Sequence, residues 1–67
     1  MSDSTWRFRG GIWLRDLRQK RHWGEVQERS WQVWRLDGRL VRREMAAGRC
    51  GNADEGKRAV DDWERSH

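Results

Sequence analysis

Six tryptophans, Trp6, Trp13, Trp23, Trp31, Trp34 and Trp63, are spread along a chain of 67 residues that has one cysteine and no proline. A domain this short buries only about 60% of the surface its unfolded chain exposes. Such a core supplies no more than roughly 3–5 kcal/mol without a covalent or metal staple. Cys50 has no partner for an intrachain disulfide, and with only His22 and His67 beside it there is no pattern of zinc ligands. Each indole, by contrast, can bury on the order of 200 Å². Tryptophan therefore stands in for a large aliphatic core, and dimerisation is the other available source of stability. Cys50 itself reads as a small hydrophobe rather than a nucleophile.

Charged residues make up 39% of the chain, which would suit disorder, but disordered segments are poor in aromatics. The expectation is one domain over residues 1–67, with Met1-Ser2-Asp3-Ser4-Thr5 as a disordered N-terminus. That N-terminus lacks the basic and then apolar order of a signal peptide, and no run of about 18 apolar residues follows, so a cytoplasmic protein without a membrane partner is expected.

The clearest local signal is Trp31-Gln32-Val33-Trp34-Arg35-Leu36, then Asp37-Gly38, then Arg39-Leu40-Val41-Arg42-Arg43-Glu44-Met45. Two β-prone runs around Asp-Gly predict a hairpin, because the dipeptide supplies the positive φ angles of a two-residue type I′ turn. A two-residue loop pairs Leu36 with Arg39, Arg35 with Leu40, Trp34 with Val41 and Val33 with Arg42. One face then carries Trp34, Leu36, Val41 and Met45, and the other carries Trp31, Val33, Arg35, Leu40 and Arg42.

After a loop at Ala46 to Gly51, Asn52-Ala53-Asp54-Glu55 has the spacing of a helix start. Asn52 is placed to cap, Glu55 sits three residues on, and Asp54 suits the positive end of the helix dipole. A helix over about 53–65 presents Ala53, Gly56, Val60 and Trp63 as its apolar stripe, with Trp63 as the main anchor on the sheet.

The N-terminal half admits two readings. Trp6-Arg7-Phe8-Arg9, Gly10-Gly11 and Ile12-Trp13-Leu14-Arg15 form either a hairpin in which Phe8 faces Trp13 or one long strand with a glycine bulge; the hairpin is preferred. Asp16 to His22 reads as a basic loop or a frayed helical turn, and Trp23 to Arg29 adds a short strand leading into Trp31. The fold class is α+β: a small antiparallel sheet of three to four strands with one C-terminal helix packed on one face.

Charge divides along the chain. Residues 1–49 hold twelve Lys and Arg against six Asp and Glu, whereas residues 50–67 hold three against five. A basic sheet and an acidic helix follow, so the sheet face away from the helix is expected to show arginine beside tryptophan. Guanidinium forks suit phosphates, and an exposed indole gives a base a surface to stack on, at about 1–3 kcal/mol per base. The residues expected to contact a partner are Arg7, Arg9, Arg35 and Arg42, on phosphates, and Trp31, by stacking. Two other readings fit the same residues. Arginine stems can simply cover apolar sheet surface and stack on indoles, and Trp with Arg also makes protein–protein hot spots or a dimer face.

Chemistry beyond binding finds no support. Gly10-Gly11 is not followed by Gly-Lys-Ser/Thr, so there is no phosphate loop. Ser30, His22 and Asp37 have no spacing that suggests a shared site, and the carboxylates Asp61, Asp62 and Glu64 fall at a helix end, where a solvated terminus accounts for them. A chain this short lacks depth for a pocket that hides a substrate from water. No catalytic residue, cofactor, metal or small-molecule substrate is expected.

The stretch Trp31 to Val41, continued through Gly48 to the helix ending at Trp63, resembles short orphan accessory proteins of actinobacterial phages and prophages. These have a Trp-rich strand, an Asp-Gly turn, a second strand ending near Gly, and then a helix. The layout is also similar to the strand-strand-strand-helix part of double-stranded RNA-binding-like folds, although Met1 to Arg15 offers no counterpart to the N-terminal helix of a true domain of that kind. The phage resemblance covers roughly half the chain and implies an accessory protein that binds nucleic acid or a host protein. The leading expectation is a nucleic-acid contact through the basic Trp/Arg sheet face. The alternative is a modulator or inhibitor of a host protein complex, and a homodimer is compatible with either.

Overall fold

The computed structural model describes residues 6–67, so the expected disorder of residues 1–5 lies outside it. Five strands, β1 (Arg7–Arg9), β2 (Ile12–Asp16), β3 (His22–Val26), β4 (Ser30–Asp37) and β5 (Val41–Arg49), precede one helix, α1 (Ala53–Ser66). The strands form a single antiparallel meander in the order β1-β2-β3-β4-β5. This is the expected α+β layout with one strand more, because both Gly-Gly arms and the Trp23 run are complete strands. Phe8 pairs with Trp13, as the hairpin reading requires, and Gly10 and Gly11 both take positive φ (57° and 83°).

The β4–β5 hairpin departs from expectation. Asp37 stays in the strand and pairs with Val41, leaving Gly38-Arg39-Leu40 as a three-residue loop in which Gly38 alone supplies the positive φ, 73°. Leu36 therefore pairs with Arg42 and Trp34 with Glu44. The displacement is an odd number of residues, and side chains alternate faces with period two, so Arg42 moves to the face of Trp34 and Leu36 while Val41 leaves it. Asp37 is held in the strand by Arg35 and Arg43, which reach its carboxylate at 3.5 and 3.2 Å. A register shift beside Val33/Trp34, with Met45 as the extra residue, brings Ala46 opposite Val33.

Helix α1 begins as its sequence predicts. Asn52 accepts a hydrogen bond from the Glu55 backbone N–H at 2.9 Å, and the Glu55 carboxylate accepts from the Gly51 N–H at 2.7 Å, one residue earlier than a capping box. Gly56 and Val60 are buried against the sheet, with Ala53 and Trp63 partly covered beside them. Val60, rather than Trp63, is the anchor: together with Val26 and Val33 it is wholly buried. Trp63 lies at the margin, stacked on His67 at 4.3 Å. Leu17, in the stretch read as a basic loop, turns inward and joins this core, its N–H bonded to the His22 carbonyl.

Cross-strand partners share a face, so the register sorts the sheet into two sides. The helix side carries Phe8, Trp13, Arg15, Gly24, Val26, Trp31, Val33 and Arg35. The open side carries Arg7, Arg9, Leu14, Trp23, Glu25, Trp34, Leu36 and Arg42.

Candidate nucleic-acid interface

The five residues expected to form one binding face do not. Arg7 and Arg9 lie exposed on the open side of β1 at one edge of the sheet, and Arg42 is on the same side of β5 at the other edge. Four strand spacings of ~4.8 Å separate these edges by about 19 Å. Trp31 and Arg35 are on the helix side. The Trp31 indole lies flat over Gly48, where a Cβ would come within 2.7 Å of its Nε1, and its own Cβ packs near Gly56. Trp31 is thus a packing residue and not an open stacking platform. The odd slip in the β4–β5 register separates Arg42 from Trp31, since the expected pairing had put them on one face.

Arginine does stand beside tryptophan on the open side, through other residues. Trp23 and Trp34 are directly opposed across β3 and β4. The Arg42 guanidinium lies over the Trp34 ring, 4.4 Å from its centre, and approaches Glu25 at 3.7 Å. The Trp23 Nε1–H donates to the same Glu25 carboxylate at 3.0 Å. This patch is close to neutral, with Arg42 covering indole and pairing with a carboxylate, although the buried Trp34 Nε1–H has no hydrogen-bond partner.

Positive charge also gathers at the end of the sheet where the β2–β3 and β4–β5 turns meet. Segments 16–22 and 35–43 contain Arg18, Lys20, Arg21, Arg35, Arg39, Arg42 and Arg43 against Asp16 and Asp37. The turns themselves, residues 17–21 and 38–40, carry four cations and no carboxylate. Arg35 and Arg43 share the single Asp37 carboxylate, and Lys20 and Arg39 have no ion pair among the described residues.

The two turns are fastened together. The Arg21 carbonyl accepts from the Leu36 N–H at 2.8 Å, and its guanidinium donates to the Gly38 carbonyl at 3.3 Å. Arg21 holds a left-handed φ of 65°, a conformation that costs a residue with a Cβ roughly 1–2 kcal/mol. Beside the β2–β3 turn lies a groove lined by Asp16, Arg18, Lys20, Arg21, Trp23 and Leu36. The sequence contained the signal for this pole, a basic loop followed by a basic hairpin tip, but only the meander brings the two together.

The acidic helix end has an internal role. Arg15 of β2 donates to Asp61 at 2.6 Å and to Glu64 at 2.8 Å, and Glu64 also accepts from the Arg18 backbone N–H. Partial burial pushes the Glu64 carboxyl up. The Arg15 hydrogen bond, the Arg18 N–H and the two guanidinium charges outweigh that and hold it below the usual carboxylate range. These carboxylates clamp α1 to β2 and bring the helix C-terminus beside the β2–β3 turn, where the Glu64 carbonyl accepts from both Arg18 and Gln19.

Among the described residues no helix is long and apolar enough to cross a membrane. No family model matches the chain, and comparison with curated proteins and with solved structures likewise finds no match.

Proposed function

We propose that this chain is a small non-enzymatic nucleic-acid-binding domain that grips phosphates with the pole built from the β2–β3 and β4–β5 turns. The observation that carries the reading is the gathering of Arg18, Lys20, Arg21 and Arg39, four cations with no carboxylate among them, in two turns that hydrogen-bond to each other. Three of the four cations there are arginine, whose planar fork matches phosphate in bidentate fashion. In this reading Lys20, Arg21 and Arg39 take the central place expected for Arg7, Arg9, Arg35, Arg42 and Trp31.

Fluorescence anisotropy with labelled duplexes and single strands over a salt series tests this. Each phosphate contact contributes about −0.9 (duplex) or −0.7 (single strand) to the slope of log K against log salt. Lys20→Ala and Arg39→Ala should each weaken binding and flatten the slope by about one contact, whereas Arg9→Ala should do neither. Salt-independent binding, or equal losses at Arg9 and Arg39, would overturn the reading.

A second reading rests on the open sheet side, where the half-exposed Trp23–Trp34 pair, Leu14 and Leu36 make an apolar patch of the kind that protein partners or a second copy of the chain cover. Light scattering distinguishes it. A salt-insensitive dimer that Trp34→Ala dissociates would support this second site and leave the pole's role to be judged by the anisotropy series.

A further inference from the structure

The tip of the β4–β5 hairpin places a large apolar side chain where a folded monomer has no use for it. Leu40 is 91% exposed, and Val41 beside it is 65% exposed. Neither joins the core, and the loop's shape depends on Gly38 and Asp37 rather than on them. Exposed single leucines are ordinary, but this one sits in the three-residue loop of the β4–β5 hairpin, next to Arg39 and two residues before Arg42-Arg43. Arg21 braces the loop from behind through the Gly38 carbonyl.

An apolar tip ringed by guanidinium groups has a defined physical match. The minor groove of B-form DNA concentrates negative potential that attracts arginine, and an apolar wedge entering from that groove partly unstacks a base step and kinks the duplex by about 20–90°. We infer that Leu40 is such a wedge: the β4–β5 tip enters the minor groove of duplex DNA, Leu40 inserts at a base step, and Arg39 and Arg43 hold the flanking phosphates. The inference rests on the nucleic-acid reading above and adds to it the ligand class, duplex DNA, and a consequence, bending. Flexible pyrimidine–purine steps should be preferred, because they are the easiest to unstack.

Fluorescence energy transfer between dyes at the two ends of a duplex of about 30 base pairs reads the bend, and anisotropy on the same duplex reads the affinity. Wild-type protein at low salt should raise the transfer efficiency. Leu40→Ser, at a position that touches no core residue and so leaves the fold intact, should still bind with the same salt slope but lose most of the rise. Arg39→Ala should weaken binding instead. Binding without bending, equal bending by Leu40→Ser, or binding to single strands alone would overturn the wedge and leave the nucleic-acid reading standing. No binding to any duplex or strand at low salt would overturn both.

Discussion

The Cγ1 of Val60 fills the space that a side chain on Gly24 would need, 2.5 Å from where its Cβ would stand. The helix can lie this close to the middle of β3 only because position 24 has no side chain. Gly24→Ala should therefore destabilise the protein by about 1–3 kcal/mol, the usual cost of forcing atoms into a packed core. Val60 is β-branched and cannot swing aside. Adding Val60→Ala should recover part of the loss, so the double variant is less destabilised than the sum of the singles. Urea midpoints of the four proteins measure this coupling, and strict additivity would show that the contact is not the cause.

The Arg15–Glu64 pair is well shielded, with side chains 14% and 15% exposed. Because the folded state lowers the Glu64 pKa, its contribution to stability is fully present above the unfolded carboxyl value and is lost as pH falls through the lower folded value. Glu64→Gln should lower stability at neutral pH by roughly 1.5–3 kcal/mol, the range for a hydrogen bond to a charged group. It should also make the remaining stability fall less steeply in acid. Thermal melts from about pH 7 down to about pH 2 give both quantities, and parallel acid profiles for the variant and wild type would rule Glu64 out as the group responsible.

Trp31 should act through the fold. Its indole covers Gly48 and its Cβ packs near Gly56, so Trp31→Ala is expected to cost about 3–5 kcal/mol. That is comparable to the stability available to a domain of this size. Arg9→Ala, on the exposed edge strand, should stay within about 0.5 kcal/mol of wild type. Circular dichroism at increasing temperature separates them; an unshifted melt for Trp31→Ala would mean that the indole is free for a partner after all.

Local signals were legible because they depend on neighbouring residues. Asn52 and Glu55 mark the helix start by capping N–H groups within one turn, and the stripe from Ala53 to Trp63 follows from helical periodicity. Gly10-Gly11 could reverse the chain because glycine takes positive φ without strain, and the Phe8–Trp13 pairing then followed from counting. The β4–β5 register was not legible. Asp-Gly favours a two-residue loop locally, yet Asp37 is drawn into the strand by Arg35 and by Arg43, six residues further along the chain. That one contact changes which face Arg42 occupies, and with it every inference about a shared Trp31–Arg42 surface. Leu17 was missed because a single leucine among charged residues carries no periodicity.

The sequence by itself determined the α+β class, the helix boundaries and the separation of a basic sheet from an acidic helix, all consequences of turn chemistry, capping and side-chain period. Tertiary structure decided which side of the sheet the helix covers, which tryptophans pack under it, and where positive charge is left unpaired. Those outcomes depend on Gly24 and Gly48 admitting Val60 and Trp31, and on carboxylates at positions 37, 61 and 64 choosing arginines on other strands. Such contacts join residues remote in the chain, and their energies exist only once the meander has brought them together.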